Sequence, residues 1–369
     1  MRTFKFFITP VYPYGDDHYF HEMVALAEGL KELGYRVMGN VDYWKTPTKD
    51  TYLIEKNDSD DFDVGIYDYR YVRSFEHLLF RDGYPNFDLN KKHILVDRND
   101  WISPIWLNRH YRLFSRIFSG NIFQTLKYPD NVRPWAIGLS SRMIQSIDKY
   151  YGQLSKPMSL SIGHNFRVMN GSRHIIMHHL KQLEKTYPLK ECFTIGEPID
   201  KSDLFYFHQT TRRHHPEYFK SINENRFFLA VCGYFECRPI LYQPYSLLDR
   251  IVRKPVLVLN RLLTRLKCDS SYLWFAFQHD SFRFYETLYA KTCPIQIDLN
   301  YWKFRMPVQP SSGIHYLGIK GLDVETLITS IEAMSQSQID DIAGQGREFV
   351  LRHYSPVAQA KRVIEELSI

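Results

Sequence analysis

Two Rossmann-like α/β domains in one chain are what the sequence predicts, and three stretches predict them. Residues 4–41 run as a short apolar segment, a loop, an amphipathic segment and a second apolar segment, the β-loop-α-β order that starts a doubly wound sheet. A second β-loop-α opening follows a polar, Pro-containing stretch at 153–158. Residues 281–298 then form a loop–helix–strand unit suited to holding an anion. With 369 residues, 44% of them apolar and 24% charged, the chain is long enough for two ordinary cores.

In the first domain, assigned to residues 1–152, a strand is expected over 4–11 and a loop over 12–18. A helix over 19–33 follows, with Phe20, Met23, Val24, Ala27 and Leu30 at helical spacing and Gly34 as its stop. Further strands are expected at 36–41, 63–67 and 92–97, another at 121–126, and a helix over 140–152. In a doubly wound sheet the loops leaving the strands border the ligand crevice, which puts Asp16, Asp17, His18 and His21 beside it after the first strand, and Asp100 after the fourth. The acidic residues at these exits suit a sugar or, as is commoner, the cap of the next helix.

The second domain, assigned to 159–345, is expected to begin with a strand at 159–163, a loop at 164–172 and a helix over 173–185. His174 and His178 lie one helical turn apart, but no His-Glu-x-x-His arrangement accompanies them, so no metal site is expected. Arg212 sits in a basic turn that suits either phosphate or solvent, and residues 226–233 read as a buried strand whose exit begins at Gly233. Residues 245–267 place an apolar stripe beside six basic residues, a pattern that fits either an anionic membrane surface or packing on the domain. Ser281 is placed to cap the next helix, Phe284, Leu288 and Tyr289 share its apolar face, and Pro294 opens a buried strand. Ser281 and Arg283 at such a helix start suit a phosphate, and Glu286 one turn on suits sugar hydroxyls. The same residues also fit a surface helix with a structural Arg–Glu pair at i, i+3. A short strand is expected at 313–318, and helices at 323–334, 337–354 and the C-terminus.

The run Ser281-x-Arg283-x-x-Glu286-x-Leu288 followed by Cys293-Pro294-Ile295 resembles the donor-nucleotide motif of GT-B glycosyltransferases, closest in wording to exostosin-like enzymes. Lys291-Thr292 stands where that motif usually has Gly, and residues 218–233 are similar to the segment that precedes it. The resemblance covers about a third of the chain. It implies two domains facing each other across a cleft, with a nucleotide-sugar donor in the second and a glycan or lipid-linked acceptor in the first. It also implies donor-diphosphate contacts from Asn165, Arg167 and Asn170, an inverting outcome, and a C-terminal helix (346–369) packed back on the first domain.

An enzyme of this kind transfers a hexosyl or related sugar, as in polysaccharide biosynthesis, and needs no metal or cofactor because its donor is a substrate. Its chemistry asks for charge stabilisation at the leaving diphosphate and, on inversion, for a base; Asp17, His18 and Asp100 are the candidates, Asp17 and His18 first. The net charge of +6 favours anionic partners, and without zinc-finger spacing or a dense basic run nucleic acid is not expected among them. Aromatic residues make up 15% of the chain, a composition that suits sugar faces as well as cores. Five cysteines without paired spacing fit reduced thiols and a cytoplasmic protein, peripheral at the inner membrane face if the basic stripe binds lipid. A non-catalytic glycan- or membrane-binding module on the same fold is the alternative, and a nucleotide-sugar epimerase or hydrolase is a third.

Overall fold

A parallel strand covered on both faces must be apolar on both, and the central strands of this chain are buried at every position. The computed structural model describes residues 1–9, 19–46, 51–75, 79, 88–97, 109–150, 156, 161–165, 171–182, 189–192, 196–231, 234–237, 255, 262, 274–277, 281–321 and 323–369. The first part contains β1 (Thr3–Phe7), α1 (His21–Glu32), β2 (Arg36–Gly39), an antiparallel pair β3 (Tyr43–Lys45) and β4 (Tyr52–Ile54), β5 (Val64–Asp68), α2 (Tyr69–Ser74), β6 (Lys92–Asp97), β7 (Arg116–Ser119) and β8 (Val132–Pro134). Its six-stranded sheet has the order β2-β1-β5-β6-β7-β8, and every pairing is parallel.

After α3 (Ser141–Tyr150) come β9 (Ile162–His164), α4 (Gly171–Gln182), β10 (Leu189–Glu191), α5 (Lys201–Gln209), α6 (Pro216–Glu224) and β11 (Phe227–Leu229). An antiparallel pair, β12 (Tyr234–Cys237) and β13 (Trp274–Phe277), precedes α7 (Phe282–Tyr289), β14 (Cys293–Ile297), β15 (Leu317–Ile319), α8 (Val324–Glu332), α9 (Gln336–Tyr354) and α10 (Pro356–Leu367). The second sheet is also parallel throughout, in the order β10-β9-β11-β14-β15.

Local chemistry explains the boundaries. Gly34 takes a left-handed φ of 84°, and Tyr35 donates back to the Leu30 carbonyl, closing α1. Asp68, an acidic strand exit, accepts from the backbone of Arg70 and Tyr71 and so caps α2. Ser335 and Gln338 form a capping box at the start of α9. Ser355 then ends α9 and caps α10, whose first residue is Pro356. Ala360, Val363 and Leu367 of α10 belong to the same core as Phe4, Phe6, Leu26 and Leu30.

Two expected strands move. Residues 121–126 do not join the first sheet: Phe123 bridges Phe304, Gln124 donates to the Lys303 carbonyl and Arg305 to that of Ile122, so the segment is held by the second part of the chain. The sheet is continued instead by β7, five residues earlier. Near the C-terminus, Gly313 takes a φ of 79° in a turn closed onto the Tyr316 carbonyl, and the strand begins only at Leu317. Residues 245–267 lie outside the described residues except for 255 and 262. No helix among the described residues is long and apolar enough to cross a membrane.

Helices α1 and α10 meet at Gly29, where an added Cβ would lie 2.0 Å from the Pro356 carbonyl oxygen. Gly29→Ala should therefore push the two helices apart and, despite the better helix propensity of Ala, lower the unfolding free energy by about 1–3 kcal/mol. A denaturant titration reads this directly, and an unchanged or raised midpoint would show that the contact relaxes freely.

Candidate functional site

In the second sheet, β9 has β10 on one side and β11 on the other, so the strand order reverses between β9 and β11. Open α/β sheets bind ligands beyond the carboxyl ends of the strands at such a reversal. Asn165 follows β9, and Ala230 and Val231 follow β11. Arg283, in the first turn of α7, donates from Nε to the Asn165 carbonyl at 3.2 Å and to its Oδ1 at 3.3 Å. Arg173 of α4 donates to the Val231 carbonyl at 3.3 Å. The expected cap does not form: Ser281 Oγ turns to the Ala230 carbonyl at 3.5 Å and makes no hydrogen bond to the amide groups that open α7. A guanidinium and an uncapped helix start thus share one crevice, the combination that favours a phosphate.

From the first part of the chain, Tyr19 and His21, both buried, pack against Phe282 at the start of α7. The Tyr19 ring lies 5.9 Å from that of Phe282 and 5.6 Å from that of His214, and the His21 ring 4.9 Å from Phe282. Trp44 meets Tyr206 at 6.4 Å, and Arg142 pairs with Asp203 at 3.6 Å. His21 Nε2 reaches the Gly138 carbonyl at 3.2 Å, which leaves Nδ1 to accept from the Tyr19 hydroxyl at 2.6 Å. With both ring nitrogens engaged, His21 is poorly placed to act as a base.

Below Phe282, Tyr218 donates its hydroxyl to Glu286 Oε2 at 2.6 Å. Glu286 Oε1 and both ring nitrogens of His214 are buried without a hydrogen bond, although Nε2 and Oε1 lie 3.5 Å apart. Burial pushes the Glu286 carboxyl up to about 7, against the lowering effect of the Tyr218 hydroxyl and of Arg283 and Arg213. Burial, and then the charges of His21, Arg142 and Arg213, hold His214 well below the usual imidazole range. The contact is therefore not an ion pair at neutral pH, because His214 is uncharged there.

The structure brings together Asn165, Ser281 and Arg283 from the residues expected on sequence. Glu286 shares their helix but is only 1% exposed, turned toward Tyr218 and His214 instead of into the crevice. Arg212 is exposed on a left-handed turn, with a φ of 61°, while its neighbour Arg213 lies 5.5 Å from the Phe282 ring. Asp16, Asp17, His18, Asp100, Arg167, Asn170 and Gly233 lie outside the described residues. No group of three or more His, Cys, Asp or Glu among the described residues is placed to hold a metal ion. Sequence reasoning passed over Tyr19, His214 and Tyr218. The signal available was Pro216: a His-His pair before a helix-opening Pro marks an ordered cap, and His215 Nδ1 does accept from the Glu217 amide.

No family model matches the chain, and no curated protein matches it by sequence. Among solved structures, Anabaena Alr3699/HepE in complex with UDP-glucose aligns over 100% of both chains at 10% identity with a TM-score of 0.50. The same protein in complex with UDP gives the same values. A glycosyltransferase from Rickettsia africae ESF-5 aligns over 99% of this chain and 97% of its own, at 9% identity and a TM-score of 0.49. The chain has the GT-B-like fold, two Rossmann-like domains facing across a cleft.

Glu286 carries a pH dependence that can be isolated by substitution. Its carboxyl titrates near 7 when folded, against 4.5 ordinarily, so its favourable contribution is complete below pH 4.5 and is lost as pH rises through 7. Glu286→Gln keeps an oxygen for Tyr218 and removes that loss. Relative to the parent, the variant should gain stability between pH 4.5 and 7, reaching roughly 3 kcal/mol at neutral pH. Parallel unfolding curves at pH 4.5 and pH 7 measure the difference, and a pH-independent offset would refute it.

Proposed function

We propose that this chain is a glycosyltransferase that moves a hexosyl or related sugar from a nucleotide-activated donor to a glycan or lipid-linked acceptor without a metal ion. The observation that carries the reading is the meeting of Arg283, Asn165 and the uncapped start of α7 at the reversal point of the second sheet. When the glycosidic bond to the donor breaks, both bonding electrons leave with the diphosphate, and the charge that develops needs preorganised donors. Arg283 supplies a cation already held in place by Asn165, and the α7 amide groups supply a partial positive charge beside it. Asn165, Arg283 and Ser281 are the proposed donor contacts within the described residues, and Arg167 and Gly233 are proposed beyond them. The acceptor is assigned to the first domain, across from Arg283. In an inverting reaction its hydroxyl oxygen attacks the anomeric carbon as the base takes the proton, and Asp17 and His18 are the proposed bases, with Asp100 next.

Glu286 is proposed to act on the ribose through Oε1, the oxygen that Tyr218 leaves unpartnered. Since that oxygen is buried, the contact requires Phe282 to move aside on donor binding. The Anabaena protein of the same fold is solved with UDP-glucose, which makes a uridine donor the first to test.

Incubation with a panel of nucleotide sugars and acceptors, followed by measurement of released nucleoside diphosphate, tests the activity. Arg283→Ala should weaken binding of the free nucleoside diphosphate by about 1.5–3 kcal/mol, roughly ten- to a hundred-fold, as expected for a lost charge-assisted hydrogen bond. Unchanged diphosphate affinity in that variant would remove Arg283 from the site. Binding without release from any donor would favour a non-catalytic module.

A further inference from the structure

A cavity lies where α9 breaks into α10. Its volume is about 520 Å³, within the range of small-molecule sites, and its walls come from both halves of the chain. Phe118, Arg133 and Pro134 contribute from the first sheet, and the segment from Arg305 to Val308 from the loop after β14. None of Asn165, Ser281, Arg283 or Glu286 lines it.

Five cationic side chains, Arg133, Arg305, Arg352, Lys361 and Arg362, meet two carboxylates there, Glu365 and Glu366. Arg133 is committed to Glu366 at 2.8 Å, and that carboxylate also receives Arg116 at 3.1 Å. Arg305, Arg352 and Lys361 are exposed and make no ion pair among the described residues. Arg362 donates Nη2 to the His353 carbonyl at 2.7 Å, while its Nη1 is buried with no hydrogen-bond partner. A buried guanidinium nitrogen without an acceptor is costly, and three cations held around it without carboxylates leave a local positive excess. Pro134, Pro307 and Val308, each partly exposed, add apolar wall. Phosphate alone would occupy a small part of this volume, whereas a ring with a phosphate on it would meet both kinds of wall.

We propose that this cavity is a second anion site that binds a phosphorylated sugar, separate from the donor crevice and bridging the two domains. The phosphate is placed among Arg352, Lys361 and Arg362, and the sugar ring against Pro134 and Pro307. The inference does not depend on the transferase reading.

Calorimetric titration of the full chain with glucose 6-phosphate, glucose, inorganic phosphate and glycerol 3-phosphate tests it, with the last standing for a lipid headgroup. Glucose 6-phosphate should saturate and bind at least tenfold more tightly than the other three. The double variant Arg352→Gln with Lys361→Gln, both on exposed positions, should lose at least tenfold of that affinity, and Arg283→Ala should lose none. Equal binding of inorganic phosphate or glycerol 3-phosphate would overturn the sugar assignment. No saturable binding, or binding lost in Arg283→Ala and kept in the double variant, would overturn the site itself.

Discussion

The seat of α10 on α1 is the contact on which the rest of the structure depends. The close approach at Gly29 lets the backbone of Pro356 lie directly on α1, and Ala360, Val363 and Leu367 then fill a core whose other members come from the first hundred and forty residues. Just before it, Tyr354 is fully buried: its hydroxyl bonds the Val308 carbonyl, and its own carbonyl accepts from Leu139 at 2.8 Å. The Phe123–Phe304 bridge adds another crossing. Each of these ties residues far apart in sequence through backbone groups, which leave little freedom once buried. They set the separation at which Tyr19 meets Phe282, and hence the geometry of the crevice between the domains.

Within that frame, burial of Glu286 has an electrostatic consequence for Arg283. An ionised Glu286 one turn along the helix would neutralise much of the guanidinium charge that a phosphate must feel. Because burial raises the carboxyl to about 7, a large fraction is protonated near neutral pH and the crevice keeps its positive character. The cost is a set of unsatisfied polar atoms: Glu286 Oε1 and two His214 nitrogens, each worth on the order of 1–3 kcal/mol when unpaired.

Element type was legible in the sequence because parallel strands and amphipathic helices leave strong periodic signals. The β6 strand was expected over its full extent at 92–97, and Gly34 marked the end of α1 through a backbone conformation that other residues avoid. The misplacement at 121–126 has a physical origin. An apolar run such as Ile122-Phe123 reads alike whether it buries against its own sheet or against another domain, and only the tertiary partner, here Phe304, decides. The position of the candidate site was legible where charge and helix start coincide, as at Arg283, which the structure sets beside Asn165. His214 and Tyr218 carry no such mark, since a buried His and Tyr are ordinary core residues until the carboxylate between them is located.

The two basic pockets differ in construction, and the difference bears on selectivity. At the proposed donor crevice one arginine is oriented by Asn165 beside the fixed dipole of α7, an arrangement that would receive an anion at a defined position. At the α9–α10 break, Arg352 and Lys361 are long exposed side chains without ion-pair partners among the described residues, so charge is supplied with little geometric constraint. A preorganised site loses less entropy on binding and discriminates by shape, whereas a flexible one responds mainly to the number of negative charges. Selectivity at the second pocket must therefore come from its fixed parts, Pro134 and Pro307 beside the Arg362 guanidinium, which is why a ring and a phosphate together fit it better than either alone.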